Sequence, residues 1–338
     1  MDVYENFPLL HHNTFAVEAK AARFVEYYSV KELKEAQRDF GGKKGGVWRN
    51  LFVGQGSNLL FTKYFEGTVF HGNIRGVEVV ADEGDSVLVS VGAGVVWDDF
   101  VAWCVGNNLY GAENLSLIPG EVGAAAVQNI GAYGSEVSGI IESVEALDTC
   151  SLEEKKFSAR DCGYSYRHSF FKANPGKFAV HHVVFRLNRT FAPNLEYRAL
   201  EKEFAGRAGG FGAKDVRNFI IGMRKSKLPD PKILGNAGSF FMNPVVSCDK
   251  FAELQKAFPD IPHFATDKGV KIPAAWLIQQ CGWKGRRMGN AGVYEKQPLV
   301  IVNLGGAKAD EIVSLSKCVI DDVSRKFGIT LKPEVQFV

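Results

Sequence analysis

The chain has no apolar run approaching the ~20 residues that a membrane helix requires. Its first residues, Met1-Asp2-Val3-Tyr4-Glu5-Asn6-Phe7, hold neither the basic stretch nor the apolar core of a secretory leader. An excess of either charge is also missing: 40 Lys and Arg stand against 38 Asp and Glu, a formal net charge of +2. That balance excludes a general polyanion-binding surface and leaves room only for a local basic pocket. The six cysteines (Cys104, Cys150, Cys162, Cys248, Cys281 and Cys318) form no C-x-x-C pair and no Cys/His cluster with zinc-ligand spacing. The expectation is a cytoplasmic protein with reduced thiols, no metal, no membrane span and no nucleic-acid partner.

What is abundant is glycine and phenylalanine, 36 and 25 residues in a chain of 338. Tight loops set beside aromatic walls suit the enclosure of a large flat ligand, and the length allows two or three domains. Ser29-Val30-Lys31-Glu32 has the form of a capping box, with Leu33, Ala36 and Phe40 at helical spacing, so a helix ends near Gly41-Gly42. Leu51-Phe52-Val53 reads as a strand running into Gly54-Gln55-Gly56-Ser57-Asn58, a turn whose N–H groups, Ser57 and Asn58 suit a phosphate as well as they suit a plain turn. Val77 to Val95 alternates as a hairpin, and Trp97 to Leu109 reads as a helix.

Leu117 to Gly134 is dense in tiny residues and ends with the paired amides Gln128-Asn129, so backbone can approach a ligand closely there. The plainer reading is a tightly packed helix start; two such loops in one half of the chain favour a dinucleotide. Strands are expected at 144–147, 179–187 and 299–302, and helices at 249–258, 273–281 and 309–327. Arg167, set among Tyr164, Tyr166 and Phe170, has the planar fork that clamps a carboxylate or phosphate, though such an arginine is usually structural. Two prolines and three lysines between Lys225 and Lys232 mark a domain junction. Beyond it, the loop Gly235-Asn236-Ala237-Gly238-Ser239-Phe240-Phe241 offers one hydroxyl between flexible backbone and two rings, and Leu331 to Val338 reads as a short edge strand. The pattern is α+β.

Five stretches, in this order, resemble the UDP-N-acetylenolpyruvoylglucosamine reductases, flavoenzymes of bacterial peptidoglycan precursor synthesis. They are Gly54-Gln55-Gly56-Ser57-Asn58, Ile118-Pro119-Gly120 with Gln128 to Gly134, Tyr164-Ser165-Tyr166-Arg167, Gly235 to Phe241, and Lys332-Pro333-Glu334-Val335. The resemblance implies three domains: an FAD-binding unit of the vanillyl-alcohol-oxidase type in two parts, 1–72 with 331–338 returning to it and 73–224, and an α+β substrate-binding domain at 225–330. It places Ser239, Arg167 and Glu334 in the active site. It gives non-covalent FAD to Gly54, Gly56, Ser57, Asn58, Pro119, Gly120, Gly123, Gln128, Asn129, Gly131, Ala132 and Tyr133, and the UDP-sugar to Tyr166, Tyr197, Lys227 and Asn243. NADPH is the implied reductant and a monomer the implied state. Met242, His168 and Ala126 stand where relatives often carry lysine, aspartate and proline. The Met242 departure removes a positive charge near the nucleotide.

On this resemblance, hydride reaches the enol methylene carbon and Ser239 gives the adjacent carbon a proton. Arg167 and Glu334 would stabilise the charge that builds on the substrate carboxylate. Two other readings stay open: a flavin oxidase of the same cofactor fold, and a nucleotide-sugar-binding protein without catalysis. G-N-A-G-S-F-F lacks the G-x-S-x-G elbow of a hydrolase.

Overall fold

The computed structural model describes all residues of the chain except Gly45, Gly46, Arg49, Ala208 and Gly209. The chain forms two compact units. The first takes Met1–Phe7, Ala21–Gln55 and Phe65–Arg224; the second takes Pro8–Lys20, Gly56–Tyr64 and Lys225–Val338. Among the described residues no helix is long and apolar enough to cross a membrane.

The first unit carries two large sheets. Lys20–Tyr27, Phe65–Gly72 and Asn50–Val53 lie parallel in one, with Asp2–Pro8 at its edge. The other is antiparallel, in the order Glu154–Ser158, Ile141–Asp148, Phe178–Asn188, Ser86–Gly92, Val77–Asp82. Period-two alternation sends Val87, Val89 and Val91 inward, where they meet Trp97 and Phe100 of the helix Trp97–Gly106 and Phe185 of the neighbouring strand. The helix Val30–Phe40 begins at Ser29, whose hydroxyl accepts from the Glu32 N–H, while Glu32 accepts from the N–H of Tyr28. Its Leu33 and Ala36 pack with Val25, Tyr27 and Phe70 of one sheet and Leu147 and Ala179 of the other.

The second unit is built on the antiparallel sheet Gly235–Ser239, Val300–Asn303, Ala291–Val293, Arg287–Met288. The helix Ala309–Phe327 covers it through Ile312, Leu315, Val319, Val323 and Phe327 and stops at Gly328 in the left-handed region. Buried Asn303 holds the chain entry: its Nδ2 donates to the carbonyls of Phe15 (2.9 Å) and Ala16 (3.1 Å), and its Oδ1 accepts from Gly305 (2.9 Å) and Ala307 (3.0 Å). The final strand, Gln336–Phe337, pairs parallel with Leu59–Leu60.

The structure differs from the sequence reading in several elements. Gly235–Ser239 is a strand, not a loop, because Gly235, Asn236 and Ser239 pair with Val300–Asn303. The strand Glu154–Ser158 and the helices Arg198–Phe204 and Ala213–Lys227 were not expected. The strand is charged and largely exposed, without the apolar alternation that marks a buried one.

One polar cluster braces the first unit. His71 places Nδ1 3.0 Å from Glu26 and Nε2 3.3 Å from Glu121, joining the strand Phe65–Gly72 to the strand Lys20–Tyr27 and to the start of the helix Val122–Gln128. Burial alone would lower the pKa of this imidazole, but the hydrogen bonds and charges of Glu121 and Glu26 outweigh it, and the net shift is upward.

Two outcomes are expected. Asn303→Ala orphans several buried backbone groups and should destabilise the protein by roughly 2–4 kcal/mol, read as a lower denaturant midpoint; a midpoint within error of wild type would refute the brace. A histidine whose folded pKa is raised contributes stability below its unfolded value of about 6.5 and loses it as pH climbs through the folded value. The stability advantage of wild type over His71→Gln should therefore shrink as pH rises above about 6.5; a pH-independent difference in thermal unfolding would show that the carboxylates do not charge the ring.

Candidate active site

In the second unit, the Gly235–Ser239 strand meets its partner with one extra residue. Asn236 lies opposite Val302, yet Ser239 lies opposite Val300, and Gly238 absorbs the bulge at φ 67°. Asn236 fixes this turn, accepting from Gly238 N–H (2.9 Å) and donating to Leu234 (2.8 Å). The bulge re-aims Ser239, which is half-buried, while Phe240 and Phe241 are buried.

The C-terminal segment lies antiparallel alongside. Glu334 N–H donates to the Phe240 carbonyl (2.8 Å), Met242 N–H donates to Lys332 (2.9 Å), and Phe241 bridges Pro333. Glu334, also half-buried, is thus held on the backbone next to Ser239. Asn58 Nδ2 donates to the Glu334 carbonyl (3.2 Å) and its own carbonyl accepts from Gln336 (3.0 Å), so Asn58 positions the glutamate segment. A Cβ on Gly56 would stand 2.1 Å from the His12 carbonyl, so this glycine serves close packing. Asn243 Oδ1 accepts from Ala274 N–H (2.9 Å) at the start of the helix Ala274–Gln280; only its Nδ2 is left to serve a ligand.

In the first unit, the Pro119–Tyr133 stretch is a helix start followed by a hairpin. Gly120 N–H donates to Gln55 Oε1 (3.2 Å), which ties the two small-residue stretches together. A Cβ on Gly123 would lie 2.7 Å from that of Ala93, so the helix Val122–Gln128 approaches the strand connection at close range. Asn129 ends this helix in the left-handed region and is fully buried; its amide donates to Glu136 (2.8 Å) and to the Ser165 carbonyl (3.0 Å) and accepts from Ser138 (3.2 Å). That side chain is spent on the fold. Gln128 differs: its Nε2 is buried with no partner among the described residues, a state that costs about 1–3 kcal/mol unless a ligand accepts from it. Gly131 and Ala132 pair with Ser135 and Glu136 around a turn in which Tyr133 (φ 51°) and Gly134 (φ 83°) are both left-handed.

Arg167 sits at φ 55° in the tight turn Ser165–His168. Its Nη2 donates to the Gly131 carbonyl (2.8 Å) and its Nη1 to that of Asn129 (3.4 Å), and the guanidinium lies 5.1 Å from the Tyr166 ring centre. The structure therefore joins Arg167, Tyr166, Asn129 and Gly131. Tyr197, 40% exposed, meets the Tyr133 ring edge-on at 5.1 Å. Lys227 is exposed at the end of the helix Ala213–Lys227.

Sequence reasoning missed Arg224 on that same helix. Its Nε donates to the carbonyl of Leu117 (3.1 Å), itself at φ 57°, and it hydrogen-bonds the Tyr133 hydroxyl. Burial lowers its pKa, opposed by Tyr133 and Asp98. Asp98 is in turn held by Arg217 (2.6 and 2.9 Å), and despite burial its pKa is lowered by that pair and the Leu117 N–H. The signal that could have found this helix is the spacing of Val216, Phe219, Ile220 and Met223.

Residues 230–338 match the family model described as the C-terminal domain of UDP-N-acetylenolpyruvoylglucosamine reductase, and residues 22–150 match an FAD binding domain. A reductase of this name from Bacteroides fragilis strain YCH46 is 50% identical over 336 residues, covering 99% of each chain. One from Porphyromonas gingivalis strain ATCC 33277 is 45% identical over 340 residues, covering 100% of each. The fold is similar to that of UDP-N-acetylenolpyruvylglucosamine reductase from Thermus caldophilus, with a TM-score of 0.68 at 21% identity over 99% of this chain and 98% of that one. The orphaned Gln128 amide and the close-packed shell around it fit the flavin nucleotide that the FAD-binding match implies. Relatedness over essentially the whole length, on an α+β fold with an FAD-binding region, makes this chain a member of the UDP-N-acetylenolpyruvoylglucosamine reductase family and an FAD-dependent oxidoreductase.

Proposed function

We propose that the protein reduces UDP-N-acetylglucosamine enolpyruvate to UDP-N-acetylmuramate with NADPH as reductant. The observation that carries this reading is the main-chain pairing just past the bulge at Gly238, where Glu334 N–H donates to the carbonyl of Phe240, the residue after Ser239, beside the buried Phe240 and Phe241. FAD, when bound, supplies the hydride carrier between NADPH and the enol methylene carbon. Gly54, Gly56, Ser57, Asn58, Pro119, Gly120, Gly123, Gln128, Gly131, Ala132 and Tyr133 are proposed to shape its site, Gln128 through its Nε2 and the glycines by admitting backbone closely. Asn129 contributes by holding the hairpin.

The chain's own chemistry is electrostatic and protonic. Hydride addition builds enolate-like charge on the substrate carboxylate, and Arg167, always protonated, stabilises it. Its contacts to Gly131 and Asn129 hold the guanidinium before substrate arrives, so little reorganisation is needed. Ser239 delivers the proton to the adjacent carbon, and Glu334 acts with it in holding and ordering charge at that centre. The aromatic pair Phe240 and Phe241 keeps water from the reacting carbon. Lys227, Tyr197, Tyr166 and the Nδ2 of Asn243 are proposed to take the UDP-sugar, Lys227 as a point charge on the diphosphate.

Anaerobic stopped-flow with each half-reaction tests the assignment. Ser239→Ala should leave bleaching of the flavin by NADPH near wild type and slow its reoxidation by the enolpyruvyl nucleotide by about 10²–10⁴; equal loss in both halves would remove the proton-donor role. Reoxidation by oxygen but not by that nucleotide would favour an oxidase instead. Lys227→Ala removes a charge-assisted contact and should raise KM by roughly 10- to 100-fold with a smaller change in kcat; an unchanged KM would count against a diphosphate contact there.

A further inference from the structure

His181 and His182 are consecutive in the strand Phe178–Asn188, and in a regular strand their side chains would leave opposite faces of the sheet. They do not, because the ladder slips beside them. Glu145 lies opposite His182 whereas Ala146 lies opposite Val180, so His181 is the extra residue of a bulge. The consequence is a cluster: the ligand-type atoms of Glu145, His181 and His182 all lie within 4.8 Å of one another. Across the next strand, His182 faces Gly92, which has no side chain to crowd it.

The two imidazoles approach to 2.9 Å between their Nδ1 atoms. Two cationic rings cannot rest at that distance, so at least one is neutral and presents a lone pair. His181 is 2% exposed, and its Nε2 has no partner among the described residues. A neutral imidazole with an unpartnered ring nitrogen is the form of histidine that binds metals. The second carboxylate in the neighbourhood, Glu154, is already paired with Lys34 at 2.6 Å. Glu145 is ion-paired with the 65%-exposed Lys156 at 3.6 Å, a partner that an ion displaces readily.

We propose that Glu145, His181 and His182 form a binding site for a divalent transition-metal ion of the zinc class, held by two imidazoles and one carboxylate with a fourth position open to water. Nitrogen donors select such an ion over Mg²⁺ or Ca²⁺, which take oxygen ligands. Ligands about 2.0–2.1 Å from zinc at a tetrahedral angle lie about 3.3 Å apart, a small opening from the present imidazole spacing. Bound there, the ion would pin the bulge between the two central strands of the sheet. No Cys/His spacing announces the site, because it depends on a slip in register.

The test uses the FAD-containing protein, freed of any affinity tag and stripped with a chelator, titrated with Co²⁺ as a spectroscopic probe. Stoichiometric binding is expected, with ligand-field bands at wavelengths beyond the flavin and without the thiolate charge transfer that the exposed Cys150 and Cys248 would give. Glu145→Gln and His182→Ala should each weaken it at least about tenfold. Absence of the bands, or binding that both variants leave intact, overturns the proposal. Unaltered protein decides independently of the variants: its melting temperature should rise with Zn²⁺ at about 100 times Kd and not with Mg²⁺, and no rise with Zn²⁺ overturns the site.

Discussion

Main-chain hydrogen bonding, more than side-chain packing, determines where Ser239 and Glu334 sit in the second unit. Ser239 and Glu334 are 95 residues apart in sequence. They become neighbours because Phe240, Met242, Lys332 and Glu334 exchange backbone N–H and carbonyl groups, with Asn58 closing the set from a third segment. Main-chain pairing of this kind is insensitive to side-chain identity, so the walls can vary around a hydroxyl and a carboxylate whose spacing is fixed. The bulge at Gly238 adds one residue between the pairs Asn236–Val302 and Ser239–Val300 and so shifts the register at Ser239.

The first unit solves a similar problem with strain. Leu117, Asn129, Tyr133 and Arg167 all lie at positive φ without being glycine, and each such residue costs of order 1–3 kcal/mol. Each is over-determined by its surroundings. Arg224 holds the Leu117 carbonyl and the Tyr133 hydroxyl, the Asn129 amide binds three groups, and Lys172 donates to the Arg167 carbonyl (3.0 Å). Four strained residues are thus gathered around one small-residue hairpin and held there by their neighbours.

Much of this was legible in the residues. The apolar face of Ala309–Phe327, the cap at Ser29, the alternation of Val87, Val89 and Val91 and the ordered set of glycine-rich stretches all carry their structure in local spacing. The parts that were not legible are those where a distant partner decides. Gly235–Ser239 looks like a loop because its small residues have no β-propensity, and only Val300–Asn303 makes it a strand. Asn129 looks like a ligand group until Glu136, Ser138 and Ser165 are seen to consume it. Arg224 was hidden for the same reason: both groups it holds lie about a hundred residues upstream, at Leu117 and Tyr133.

The Glu121 carboxylate, which meets His71, also explains Gly54 in a way that backbone freedom does not. A methyl group on Gly54 would stand 2.8 Å from Glu121 Oε2, the carboxylate whose other oxygen faces the imidazole. Volume at position 54 thereby bears on charge at position 71: a larger side chain would press on the Glu121 carboxylate and weaken one of the two acidic contacts of the ring, leaving Glu26 as the other. Sequence drift at this glycine is restrained by the proton affinity of a residue on the adjacent strand, so tolerance at the two positions should be inherited together.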